Sequence, residues 1–106
     1  MIHHVTTLET SKKLRKAGVK TESKFVWREP LYSHWKLEPY DKLIHSINPY
    51  NIPAYLLSEL LKMVKGDWKL RKYKPDLYHI TFSGGGEREQ TAINAVAKAI
   101  IWQSKN

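Results

Sequence analysis

Apolar and polar residues recur along this chain with two different periods, and the changes of period mark its elements. Over 6–18, "TTLETSKKLRKAG", Leu8, Ser11, Leu14 and Ala17 return at helical spacing, while Lys12, Lys13, Arg15 and Lys16 fall mostly outside that stripe. The pattern predicts a helix with Thr6 as N-cap, Glu9 completing a capping box, and Gly18 in the left-handed conformation just past the last turn. Lysines near that end suit the helix dipole. The period then falls to two. Phe25 and Trp27 share one face and Val26 and Arg28 the other; after Pro30, Trp35 and Leu37 alternate again. Two strands are expected, about 24–28 and 32–37, joined by a turn at the proline.

Residues 38–53 keep neither period. Pro39, Pro49 and Pro53 punctuate them and Asn48 and Asn51 favour turns, so a long loop is expected, with Ile44 and Ile47 partly buried. In "AYLLSELLKMVKGD", Leu57, Leu60, Leu61 and Val64 make one apolar face of a helix that starts between Ala54 and Ser58 and stops at Gly66. "DWKLRKYKPDLYHITF" is the clearest hairpin. Trp68 and Leu70 alternate with Lys69 and Arg71, "KPDL" supplies the turn, and Tyr78, Ile80 and Phe82 alternate with Leu77, His79 and Thr81. "SGGGERE" reads as a glycine loop with Glu87 and Glu89 in the first turn of a last helix. There Ala92, Ile93, Val96, Ala97, Ile100 and Ile101 cover a broad face. Helix, two strands, helix, two strands, helix predicts a single α+β domain over 1–106. Its four- or five-stranded antiparallel sheet would carry the tryptophans and tyrosines on one face, packed against two or three helices.

Three of these segments together resemble a family of small uncharacterised proteins encoded by phages and prophages. "TLETSKKLRKAGVKTESKFVW" is similar to that family's opening, an "E-x-x-K-K-L-x-x-x-G" helix followed by an "S-x-F-x-W" strand. "LSELLKMV" resembles its central leucine-rich helix, and "AINAVAKAIIWQ" its C-terminal alanine-rich helix ending in tryptophan. The likeness runs from about Thr7 to Gln103. The chain departs from it at Leu56, where a helix-capping residue is expected. The resemblance implies a phage or mobile-element origin and a bacterial cytoplasm. It carries over no catalytic residue.

Composition narrows the function classes. A chain of 106 residues with 42% hydrophobic content can build one core. The absence of cysteine excludes disulfides, thiolate zinc sites and a cysteine nucleophile. No apolar run approaches the ~20 residues of a membrane helix, and "MIHHVTTLET" lacks the pattern of a signal peptide. The net charge of +8 suits nucleic acid, acidic proteins or anionic lipid, and also plain solubility.

Catalytic and metal chemistry find little purchase. His3, His4, His34, His45 and His79 are scattered, with no cysteine beside them and no helical i, i+4 pair. His34 and His79 would meet only if the two hairpins were neighbours. Most carboxylates have local explanations, Glu9 in a cap and Glu59 projecting from a helix; Glu38 and Asp41 lie in the irregular stretch. "FSGGGE" lacks the G-x-S-x-G order of a nucleophile elbow, and "SGGGERE" lacks the G-K-[ST] ending of a phosphate loop. No enzyme activity and no cofactor are expected. The first expectation is a non-catalytic accessory protein that binds a host or phage protein through surplus aromatic anchors. The alternative is a nucleic-acid-binding accessory protein. Its polyanion surface would join Lys12, Lys13, Arg15 and Lys16 to Lys69, Arg71 and Tyr73, with Tyr73 or Trp35 stacking on bases. Apolar residues around much of the last helix also suggest a homodimer.

Overall fold

The computed structural model describes residues 5–30, 34–46 and 48–105. Helix α1 (Leu8–Lys16) is capped by Thr7, whose side chain accepts from the Thr10 amide, so the cap lies one residue later than expected. Glu9 is exposed and pairs with Lys13 one turn on, rather than closing a capping box. Thr6 is fully buried instead. Its hydroxyl accepts from the Tyr55 amide and meets Ser11 Oγ at 2.6 Å, and its carbonyl accepts from Trp27 Nε1. The helix ends as read: Gly18 has φ +97°, its amide reaches Arg15 O, and the Val19 amide reaches Leu14 O, the paired bonds of a Schellman motif.

The chain is an α+β domain, but its strands form two three-stranded antiparallel sheets rather than one of four or five. In the first, β1 (Phe25–Arg28) is central between β2 (Lys36–Pro39) and β3 (Ile52–Ala54). The register places Trp27 opposite Leu37 and Ile52. The second strand thus sits further along than 32–37. Leu31, Tyr32 and Ser33, together with Ile47, His3 and His4, lie outside the described residues. The stretch read as a loop holds both β3 and a single-turn helix, α2 (Lys42–His45). Ile44, expected to be partly buried, is exposed on α2.

Helix α3 (Leu57–Leu61) is shorter than the apolar pattern implied, because Ala54 belongs to β3 and the chain turns after Leu61. Leu56 is its N-cap and has no side chain able to cap. Glu59 takes over. Its Oε1 accepts from the Leu56 amide at 2.8 Å and meets Ser23 Oγ at 2.7 Å, and its Oε2 accepts from the Lys24 amide at 3.1 Å. One carboxylate therefore ties the start of β1 to the start of α3.

The second sheet runs β4 (Trp68–Lys74), β5 (Leu77–Phe82), β6 (Gly85–Glu89), followed by α4 (Ala92–Lys105). The first two strands are the expected hairpin. The third corrects the reading of "SGGGERE": Glu87 and Glu89 are strand residues, not the first turn of a helix. Glycines give such a strand no visible alternation. They belong here because the rings of Phe82 and Trp102 lie over Gly84 and Gly85, within 3.1–3.6 Å of where a Cβ would stand.

Helix α4 is the centre of the molecule. It packs on β5 and β6 on one side and on α1 and α3 elsewhere, burying Ala95, Val96, Ala97, Ala99 and Ile100. The alanines let these elements approach closely, and Ile93, Ile101 and Trp102 are partly buried against the same core. Ile80, Phe82, Leu14 and Leu60 complete the core with Tyr55. Tyr55 is buried among apolar groups, but its hydroxyl donates to Thr21 O at 2.5 Å. Burial, with Glu59 nearby, pushes this phenol up from 10 to about 12. The neutral form is the one the fold favours, so this contribution is complete below pH 10 and is lost as pH rises through about 12. Tyr55→Phe is expected to cost about 1 kcal/mol at neutral pH. Thermal unfolding between pH 9 and 11.5 should also show a flatter alkaline decline in the variant than in the wild type.

Candidate nucleic-acid interface

Register divides the second sheet into two unlike faces. Trp68, Leu70 and Lys72 stand opposite Phe82, Ile80 and Tyr78, which in turn stand opposite Gly85, Glu87 and Glu89. This face looks towards α4: Ile80 and Phe82 are buried in the core, and Glu89 pairs with Lys98 of α4 at 2.5 Å. Alternation sends the intervening residues to the outer face. Arg71, His79 and Arg88 form one row across the three strands; Lys69, Thr81 and Gly86 form the next.

Lys69, Arg71, Thr81 and Arg88 are exposed. A register shift between Lys72 and Lys74 brings in Tyr73, whose ring lies 5.9 Å from that of His79. No strand position on this face carries a carboxylate. The ion pairs among the described residues leave Lys69, Arg71 and Arg88 without an acidic partner. A concavity of about 600 Å³ bounded by Asp67, Trp68, Lys69, Thr81 and Phe82 adjoins the Lys69 end.

The two basic groups named from the sequence part company here. Lys69, Arg71 and Tyr73 share the outer face. Lys12, Lys13, Arg15 and Lys16 belong to α1, which packs on α4 and β3, on the helical side of the sheet. Three of the four are engaged there. Lys12 Nζ lies 5.1 Å from the Trp35 ring centroid, Lys13 pairs with Glu9, and Arg15 donates to the carbonyls of Pro49 and Asn51. Trp35 is thereby occupied as well. Arg88 is the cation that sequence reasoning missed. Its signal was the Gly86/Arg88 alternation against Glu87/Glu89, which the glycines concealed.

No family model, curated protein or solved structure matches the chain. Chemistry therefore has to be judged from the side chains themselves.

The geometry nearest to a catalytic pair is Glu38–His45. His45 is buried, its Nδ1 accepts from the Asp41 amide at 2.8 Å, and its Nε2 lies 2.7 Å from Glu38 Oε2. An imidazole accepting at Nδ1 carries its proton on Nε2 and donates it to the carboxylate. Both nitrogens are thus committed within the chain, and the pair acts as a clasp between β2 and α2. The bond from His45 holds the Glu38 carboxyl below its usual 4.5, with help from Arg28 and against partial burial. The clasp's contribution is present above pH 4.5 and is lost as pH falls through the depressed value. Glu38→Gln should flatten the decline in melting temperature between pH 5 and pH 3, measured by circular dichroism.

A second polar cleft, between α1 and α4, is lined by Thr10, Lys13, Glu89, Asn94 and Lys98, but its charges pair with each other or with Glu9. Among the described residues no three histidine or acidic side chains gather as metal ligands, and no helix is long and apolar enough to cross a membrane.

Proposed function

We propose that this protein binds nucleic acid, without catalysis, through the outer face of its C-terminal sheet. One observation carries the reading: Lys69, Arg71 and Arg88, with no acidic partner among the described residues, stand on an open sheet face beside Tyr73 and His79, with no carboxylate at any strand position of that face. Cations on such a face gain binding energy by displacing the counterions condensed on a phosphate backbone. The net charge of +8 adds long-range attraction. An accessory role of this kind also accords with the phage-type resemblance of the sequence.

Lysines on an edge strand serve a second purpose, discouraging edge-to-edge pairing, and β4 is an edge strand. Strand β6, which carries Arg88, is the other edge; charges of either sign serve that purpose, so it does not account for a face whose strand positions carry cations and no carboxylate. Protein binding, the first expectation from the sequence, is a second reading supported by the exposed Leu43, Ile44 and Tyr50 around α2. Fluorescence anisotropy with labelled DNA and RNA oligonucleotides separates the two. The first reading predicts binding at 50 mM salt that weakens on Arg71→Gln and is indifferent to Leu43→Ser. No binding at that salt would remove it.

A further inference from the structure

One ring on the outer face lies low along the sheet, and its posture has a specific origin. The His79 ring reclines over Gly86, where an added Cβ would stand 3.0 Å from Nε2. Glycine at this position lets the imidazole lie along the sheet instead of standing out from it. Tyr73 lies against the same ring with an interplanar angle of 35° and is 57% exposed. Cations surround this pair. Lys69 and Arg71 stand about 7 Å apart along β4, and Arg88 stands about 10 Å from Arg71 across the sheet.

A duplex offers such a surface little beyond its phosphates. The major groove admits a helix or a two-stranded ribbon. Here the β4–β5 ribbon is backed by α4 through β5, flanked by β6, and tipped by a turn containing Asp76, which would meet phosphate with like charge. A single strand offers exposed base faces as well as phosphates, and an open ring among cations can hold both.

We infer that the ligand of this face is single-stranded nucleic acid, with a base stacked on Tyr73 and phosphates held by Lys69, Arg71 and Arg88. This rests on the nucleic-acid reading above. The test is fluorescence anisotropy at 50 mM salt with four probes: a 12-nucleotide oligothymidylate, its oligouridylate counterpart, an abasic 12-mer with the same phosphates, and a 12-base-pair duplex. At least one base-bearing single strand should bind about tenfold more tightly than the abasic chain, and more tightly than the duplex. Comparison of the first two probes shows whether DNA or RNA is preferred. Tyr73→Ala should remove that tenfold advantage and leave abasic binding unchanged, while Tyr73→Phe retains it. Equal binding of abasic and base-bearing strands, tighter binding of the duplex, or equal losses on all probes in Tyr73→Ala would overturn stacking. Loss of binding on every probe in a Lys69→Gln/Arg71→Gln/Arg88→Gln variant, in that event, would leave the nucleic-acid reading standing alone. An unaltered affinity in the same variant would overturn both.

Discussion

Reversing Lys69, Arg71 and Arg88 to glutamate together is expected to lower affinity for a single-stranded oligonucleotide by at least about 100-fold at 50 mM salt, each lost contact removing on the order of 1 kcal/mol and each new charge repelling phosphate. The fold should survive. All three side chains are exposed and, among the described residues, have no acidic partner to lose. The melting temperature should stay within about 8 °C of wild type, since each surface change outside caps and networks lies within about 0.5 kcal/mol and the three together within about 1.5 kcal/mol. The same reversal at Lys12 and Lys16 should cost far less affinity, because α1 lies on the helical side of the sheet. Equal losses from the two sets would mean that net charge alone drives binding.

Glu59→Ala is expected to be the most destabilising single change at a polar residue, at about 2–3 kcal/mol, or a fall of roughly 10–15 °C in melting temperature. Three contacts end on this carboxylate, from Leu56, Ser23 and Lys24. Ser23 keeps the Ala54 carbonyl as an acceptor, whereas the two amides would have to turn to water. Glu59→Gln should cost roughly half as much, since the amide retains one acceptor oxygen but sets an NH2 against one of the donors. Denaturant unfolding of the two variants would measure the difference. A loss below about 0.5 kcal/mol in Glu59→Ala would show that the carboxylate is not the tie between β1 and α3.

Legibility in the sequence followed local pattern. The hairpin of β4 and β5 was readable residue by residue, because period-two alternation flanks a Lys-Pro-Asp turn. With it came the assignment of Lys69 and Arg71 to the face of His79 and Thr81. The end of α1 was readable because Gly18 announces a left-handed residue. Strand β3 was not, since three residues containing Pro53 are too short to show a period; their place is set by pairing with β1. Strand β6 disappeared behind its glycines, and Arg88 with it. Two three-stranded sheets looked like one larger sheet because propensity marks strands but not their partners. From sequence alone Glu59 is a projecting side chain, because its partners Ser23 and Lys24 lie 36 and 35 residues away, a distance no local pattern spans. The merging of the two basic clusters was likewise a tertiary question, decided by how α1 packs against α4 and β3.

The salt dependence of binding tests the outer-face assignment most directly. Single-strand affinity falls with a log–log slope of about −0.7 per phosphate contact, so three cations predict a slope near −2 and an affinity loss of about 20-fold between 50 and 200 mM salt. Changing Lys69, Arg71 and Arg88 to glutamine one after another should flatten the slope by about 0.7 at each step, until little salt dependence remains. A steep slope that persists unchanged in the triple variant would contradict the assignment and place the phosphate contacts elsewhere on the molecule.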